Sequence, residues 1–220
     1  MNKKDIDLGK LLASVDPEEI DHLLPEEQEK FKLLAEKVQE DELLDGAKKD
    51  FLSFVKLLWP HFVEGTHHRI IAEKFNRIAD GTLKRLIVNM PPRHTKSEFA
   101  SFMLPAFIMG RNPLTKIIQT SHTAELSQRF GRKTKQLIDS SDYKKIFPET
   151  GLQADSKAAG RWDTSAGGEY FAAGVGGAIT GRGADLLIID DPHSEQDALS
   201  ETAMENAYEW YTSGPRQRLQ

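Results

Sequence analysis

One hydrophobic run, Arg85-Leu86-Ile87-Val88-Asn89-Met90, enters a turn whose Lys96 and Ser97 open a helix. A second, Leu186-Leu187-Ile188-Ile189, ends in Asp190 and Asp191, with Asp190 lying 94 residues beyond Lys96. Strand, turn, Lys-Ser and helix follow in the order of a phosphate-binding loop. An apolar strand running into two acids is the usual companion that holds magnesium and a water. The pair therefore predicts an α/β protein with a mostly parallel sheet of the P-loop NTPase type, RecA-like, flanked by helices. The loop departs from the common pattern, since Met90 and Thr95 stand where glycines are usual.

A phosphate loop works through successive backbone N–H groups at a helix N-terminus, where the helix dipole also favours negative charge. Pro91 and Pro92 cannot donate, so the cradle is expected from the amides of Arg93, His94, Thr95, Lys96 and Ser97. Lys96 is the candidate to bridge the β- and γ-phosphates of ATP, and the Ser97 hydroxyl to bind Mg²⁺. A Cβ at Thr95 narrows the pocket where glycine permits close approach, which predicts weak nucleotide affinity. Asp190 suits the Mg²⁺-associated acid. Asp191 stands where such ATPases carry a catalytic acid and is the candidate to polarise the attacking water. Arg93, three residues before Lys96, is a candidate sensor or catalytic arginine acting in its own subunit. Arg182 lies in the glycine-rich passage from Gly174 to Gly183 and is the candidate to reach a nucleotide on a neighbouring subunit or to touch DNA. Ser121-His122-Thr123, followed by Arg129, Arg132, Lys133 and Lys135, marks a possible contact with a nucleic-acid backbone. His67 and His68 have no metal partners at ligand spacing and read as structural or as part of an adenine pocket.

The rest of the chain is organised around that body. Its 220 residues suffice for one α/β domain and an appendage. No stretch approaches the ~20 apolar residues of a membrane span, and the basic start lacks the apolar run of a secretion signal. The absence of cysteine excludes disulfides, thiolate metal sites and a cysteine nucleophile. Residues 1–50 carry 15 Asp and Glu against 8 Lys and Arg; taken from the chain's 34 acids and 29 bases, this leaves 19 acids and 21 bases in residues 51–220. An acidic helical lead-in thus precedes a mildly basic body, and overall charge is a poor guide to whether that body touches nucleic acid.

Helices are expected from Pro25 to a stop at Asp45-Gly46 with Phe31, Leu34, Val38 and Leu43 inward, over Phe51–Trp59, and over Thr66–Ala79 with Ile70, Ile71, Phe75 and Ile78 inward. Arg85–Met90 is expected as a strand, and Lys96 to about Met109 as a helix bent or shortened by Pro105. Strands at Lys116–Thr120, Glu169–Ala173 and Asp185–Ile189 follow. Helices are expected over Thr123–Ser140, with Leu126, Phe130, Leu137 and Ile138 inward and Ser121 or Thr123 as cap, and near Leu199–Tyr211.

Taken together, Pro-Pro-Arg-His-Thr-Lys-Ser-Glu at 91–98, the stretch into His122-Thr123-Ala124-Glu125, Arg161-Trp162-Asp163-Thr164-Ser165-Ala166-Gly167-Gly168, the run from Gly176 to Asp185, and Asp190-Asp191-Pro192 resemble the ATPase domain of the large terminase subunit of tailed bacteriophages. The likeness covers roughly residues 50–220. It implies an ATP- and Mg²⁺-dependent motor that moves double-stranded DNA through a portal protein into a procapsid. A small terminase subunit would select the DNA, and the motor subunits would form a ring on the portal, with the isolated domain monomeric. Family members usually carry glycine at the Thr95 position. The resemblance also implies a host bacterial cytoplasmic location without a membrane, absence from the mature virion, and a nuclease domain beyond Gln220, so that residues 1–220 have no nuclease activity of their own. Two other readings stay open: a nucleotide-binding assembly module that does not hydrolyse, and a helicase-like translocase, which needs a second RecA-like lobe.

Overall fold

The computed structural model describes residues 20, 22–156, 158–179 and 181–219. The front of the acidic lead-in, residues 1–19, and Thr180 of the glycine-rich passage lie outside the described residues. The protein is mixed α/β: a small four-stranded sheet with helices packed around it. In chain order the helices α1 (Pro25–Lys49), α2 (Phe51–Leu58) and α3 (Thr66–Ala79) precede a π turn at Glu98–Met103 that runs directly into α4 (Leu104–Arg111). Then come β1 (Lys116–Ser121), α5 (Ala124–Asp139), α6 (Ser141–Ile146), β2 (Arg161–Asp163), β3 (Glu169–Gly174), β4 (Leu186–Ile189) and α7 (Glu201–Ser213). The sheet order is β2-β3-β1-β4; β1 pairs in parallel with β3 and β4, and β2 closes one edge antiparallel. No described helix is long and apolar enough to cross a membrane.

Residues 85–90 are the main departure from the sequence expectation. No strand is formed there. Leu86, Val88 and Met90 pack against the core while Ile87 is 87% exposed. The alternation of a strand is present, but a ladder also needs a neighbour at hydrogen-bonding distance. Among the described residues β4 pairs only with β1 and leaves its outer edge unpaired.

Smaller corrections have local causes. The first helix does not stop at Asp45-Gly46 but continues to Lys49, because its end is held by fully buried Ala47. Leu34 and Leu43 are exposed, and the inward stripe passes through Phe31, Ala35 and Val38. Asp50 then caps α2 by accepting the Ser53 N–H at 2.7 Å. In α3 the buried face is His68, Ile71, Ala72 and Phe75, with Ile70 exposed. The Lys96 helix is not cut short at Pro105 but continues to Arg111. Pro105 has no N–H to give, and the helix widens ahead of it into the π turn, in which the Leu104 N–H bonds Phe99 O five residues back. α5, capped by Thr123, presents Ser127, Phe130, Gly131, Thr134 and Ile138, while Leu126 and Leu137 are only half-buried. Helix α6 and strand β2 were not expected from the sequence; β2 buries Trp162, stacked on Tyr170 with ring centroids 4.7 Å apart.

The core joins the helical and sheet halves. Phe51 meets Phe75, Phe99 and Phe107 edge-on at 5.2–5.6 Å, arrangements that aromatic quadrupoles favour. Phe99 and Phe107 bring the helix that follows Lys96 into this cluster.

Candidate functional site

β1, β3 and β4 are parallel and end together at Ser121, Gly174 and Ile189, so the turns that follow them share one edge of the sheet. Ligands of open parallel sheets bind at this edge. Asp190 and Asp191 stand there, tied to β1 by the bonds from Asp190 N–H to Thr120 O (2.9 Å) and from His122 N–H to Asp191 O (3.0 Å).

The loop before the Lys96 helix meets them. The Lys96 ammonium hydrogen-bonds Asp191 and lies 3.5 Å from an oxygen of Asp190. Burial by itself favours loss of the Lys96 proton, but the Asp191 hydrogen bond and the two carboxylate charges outweigh it, and the pKa is raised above the ordinary lysine value. Asp190 is 5% exposed, and its second oxygen accepts the Ser101 hydroxyl at 2.8 Å. Ser101 is presented by the π turn. Nothing in the sequence pointed to it, because a helix of regular period gives no sign of where it will widen.

Backbone strain concentrates at the same place. Four non-glycine described residues have positive φ, and three of them are Arg93 (64°), Thr95 (64°) and Asp191 (47°). Such conformations are costly for residues with a Cβ and cluster at ligand sites. Thr95 is followed by the helical Lys96, and alternating handedness of this kind turns successive N–H groups towards one concavity. Among the described residues the amides of Arg93, His94, Thr95, Lys96 and Ser97 donate to no loop or side-chain acceptor. They suit an anion. The donor set also fits a hard cation, since the Ser97 hydroxyl and the Asp190 carboxylate are oxygen ligands. No group of three or more His, Asp or Glu side chains converges as a metal site among the described residues.

The structure gathers Lys96, Asp190 and Asp191 directly, and Arg93, His94, Thr95 and Ser97 by their place in the loop. His68, half expected as structural, is buried and bonds Thr95 across 27 residues. Arg182 is not brought to this edge. Its guanidinium lies 4.2 Å over the Phe171 ring and 3.4 Å from Glu169, at the opposite end of the parallel strands. The glycine-rich passage is anchored by buried Ile179 and by the Trp210 indole, which donates to Gly177 O at 3.2 Å.

Beside Asp191, His122, Thr123, Arg129 and Arg132 line a cleft of about 390 Å³. Of the expected basic row, Lys133 is committed to Glu98 (2.6 Å) and Lys135 to Ser156 O, while Arg129 and Arg132 are exposed. Comparison with protein-family models and with curated proteins found no match.

Proposed function

We propose that this chain is a Mg²⁺-dependent ATPase of the P-loop type, acting as the motor domain of a viral DNA-packaging terminase. The observation that carries the reading is the meeting of Lys96 with Asp190 and Asp191 at the carboxyl edge of the sheet, on a loop whose amides, among the described residues, donate to no loop or side-chain acceptor. Two sequence motifs 94 residues apart form one charged site.

In this reading the triphosphate takes over the Lys96 ammonium, whose present partners are the two acids. Asp191, 57% exposed and released from Lys96, accepts a hydrogen bond from a water and orients it towards the γ-phosphorus. The bond to the bridging oxygen breaks, giving ADP and phosphate, and the water's protons pass to phosphate and solvent. Ser97 and Asp190 would hold Mg²⁺, which neutralises phosphate charge. Arg93, within the loop, is the arginine assigned to the developing charge in the same subunit. Any role for Arg182 at a nucleotide falls to a neighbouring subunit's site. Arg129 and Arg132 supply the charge for a DNA backbone in the cleft next to His122, whose main chain is bonded to Asp191. Double-stranded DNA, a portal protein, a small terminase subunit and a ring of copies on the portal are the partners this reading entails, in the bacterial cytoplasm.

ATP hydrolysis by the purified protein, with and without double-stranded DNA and portal, tests it. Lys96→Ala should abolish turnover and weaken binding, whereas Asp191→Asn should bind ATP and lose turnover. Parent-rate hydrolysis by Asp191→Asn would remove Asp191 from its role. One observation favours a second reading, a nucleotide-binding assembly module without turnover: Thr95 puts a branched side chain into a loop position of positive φ. Binding of ATP with no hydrolysis under any of these conditions selects it.

A further inference from the structure

A branched residue held at positive φ has to be held by something, and the surroundings of Thr95 show what does so. The Gly65 N–H donates to His68 Nδ1 at 2.8 Å. That donor fixes the tautomer: a neutral ring accepting at Nδ1 carries its hydrogen on Nε2. His68 Nε2 lies 2.7 Å from Thr95 Oγ1, and Thr95 Oγ1 in turn donates to His94 O at 2.6 Å. Every hydrogen in the chain from Gly65 to His94 then has one direction. The ring cannot swing away, because Phe62, Phe99 and His67 surround it with centroids at 4.8, 5.0 and 3.8 Å, and the residue is 5% exposed. Gly65 is fitted to the arrangement, since a Cβ there would stand 2.8 Å from the His67 ring. Thr95 O also accepts the Phe99 N–H at 2.9 Å, so the same residue starts the helix that carries Lys96 and Ser97.

We propose that His68 is a positioning residue for the phosphate loop: through its Nε2–H bond to the Thr95 hydroxyl it holds the loop in the left-handed turn that glycine would adopt unaided. The proposal rests on the nucleotide-binding reading for its purpose and on the hydrogen-bond chain for its geometry. It accounts for a threonine where close approach to phosphate calls for a small residue, because the hydroxyl gives the loop an external anchor. The anchor works with a neutral ring. A proton on Nδ1 would face the Gly65 N–H and reverse the bond that orients the ring. The charged groups facing it are His67, Glu64 and His94, and Glu64 is itself held by Lys56 and Arg69.

The test is a double-mutant cycle read by MgADP affinity in titration calorimetry, together with the ¹⁵N-histidine spectrum of the full chain. His68→Leu, which keeps apolar bulk and loses the donor, should weaken MgADP about tenfold, the loss typical of one such bond. His68→Gln, whose amide can donate from near the Nε2 position, should recover most of that. In a Thr95→Gly background, His68→Leu should have no effect on MgADP affinity, because glycine needs no anchor. An equal loss in both backgrounds would overturn the proposal and leave His68 a packing residue. The spectrum decides independently of nucleotide: a His68 resonance with hydrogen on Nε2 that shifts in Thr95→Gly supports the anchor, and hydrogen on Nδ1 overturns it. If the wild-type protein binds no MgADP, the nucleotide reading fails while the spectrum still judges the anchor.

Discussion

Asp190 is a carboxylate buried to 5% exposure, with the Ser101 hydroxyl on one oxygen and Lys96 near the other. Removing a partner from a buried charge costs more than the bond itself, because the desolvated group is left unsatisfied. Ser101→Ala should therefore destabilise the protein by about 1–3 kcal/mol in urea unfolding, although serine and alanine differ by one atom. A loss near zero would mean that Asp190 finds another donor. His68 gives a prediction in pH. Burial, followed by the charge of His67, pushes its pKa below the ordinary histidine value of about 6.5. The unfolded chain therefore binds the proton that the folded one refuses, and stability should fall as pH drops below about 6.5 and stay flat above it. His68→Gln should flatten that part of the profile relative to wild type.

At the scale of elements, α5 lies against β3 through its small residues. A methyl at Gly131 would stand 2.7 Å from Ala159 O and 2.7 Å from Tyr170 Cε1, and the Gly131 carbonyl accepts the Trp162 indole at 3.1 Å. Alanine gains ~1 kcal/mol of helix propensity over glycine, but overpacking against a fixed carbonyl and a fully buried ring costs typically ~1–3 kcal/mol. Gly131→Ala should thus be destabilising on balance, as a lower denaturation midpoint; a raised midpoint would show that the helix can shift outward. The same reasoning explains why the sequence misplaced part of this face. Periodicity selects large apolar residues, whereas close helix–strand packing selects Ser127, Gly131 and Thr134.

For the molecule as a whole, the stretch before the Lys96 turn separates sequence pattern from tertiary pairing. Amides of residues 84–90 should exchange with solvent much faster than those of Ile117 to Thr120, which lie between β3 and β4. Ile87→Lys at an 87% exposed position should change stability by no more than about 0.5 kcal/mol, while Ile117→Ala in the sheet centre should cost ~2–5 kcal/mol. Protection of residues 84–90 equal to that of β1 would contradict an unpaired edge.

Much of this was decided locally and so was legible in the sequence. Short apolar stretches ended by turn signals placed β1, β3 and β4, and helical spacing, with Thr123 as a cap of α5, placed the helices. The Lys96 turn and the Asp190-Asp191 ending were each readable, because each motif is contiguous. Their meeting was an inference from order, and the parallel register of β4 on β1 is what brings them together. Three features belong to tertiary structure alone. The π turn that delivers Ser101 to Asp190 and the His68 bond to Thr95 join residues 89 and 27 positions apart, separations at which no periodic pattern carries information. The third is the unpaired state of residues 85–90: their alternation describes two faces, but a backbone becomes a ladder strand only when a neighbour supplies the hydrogen bonds.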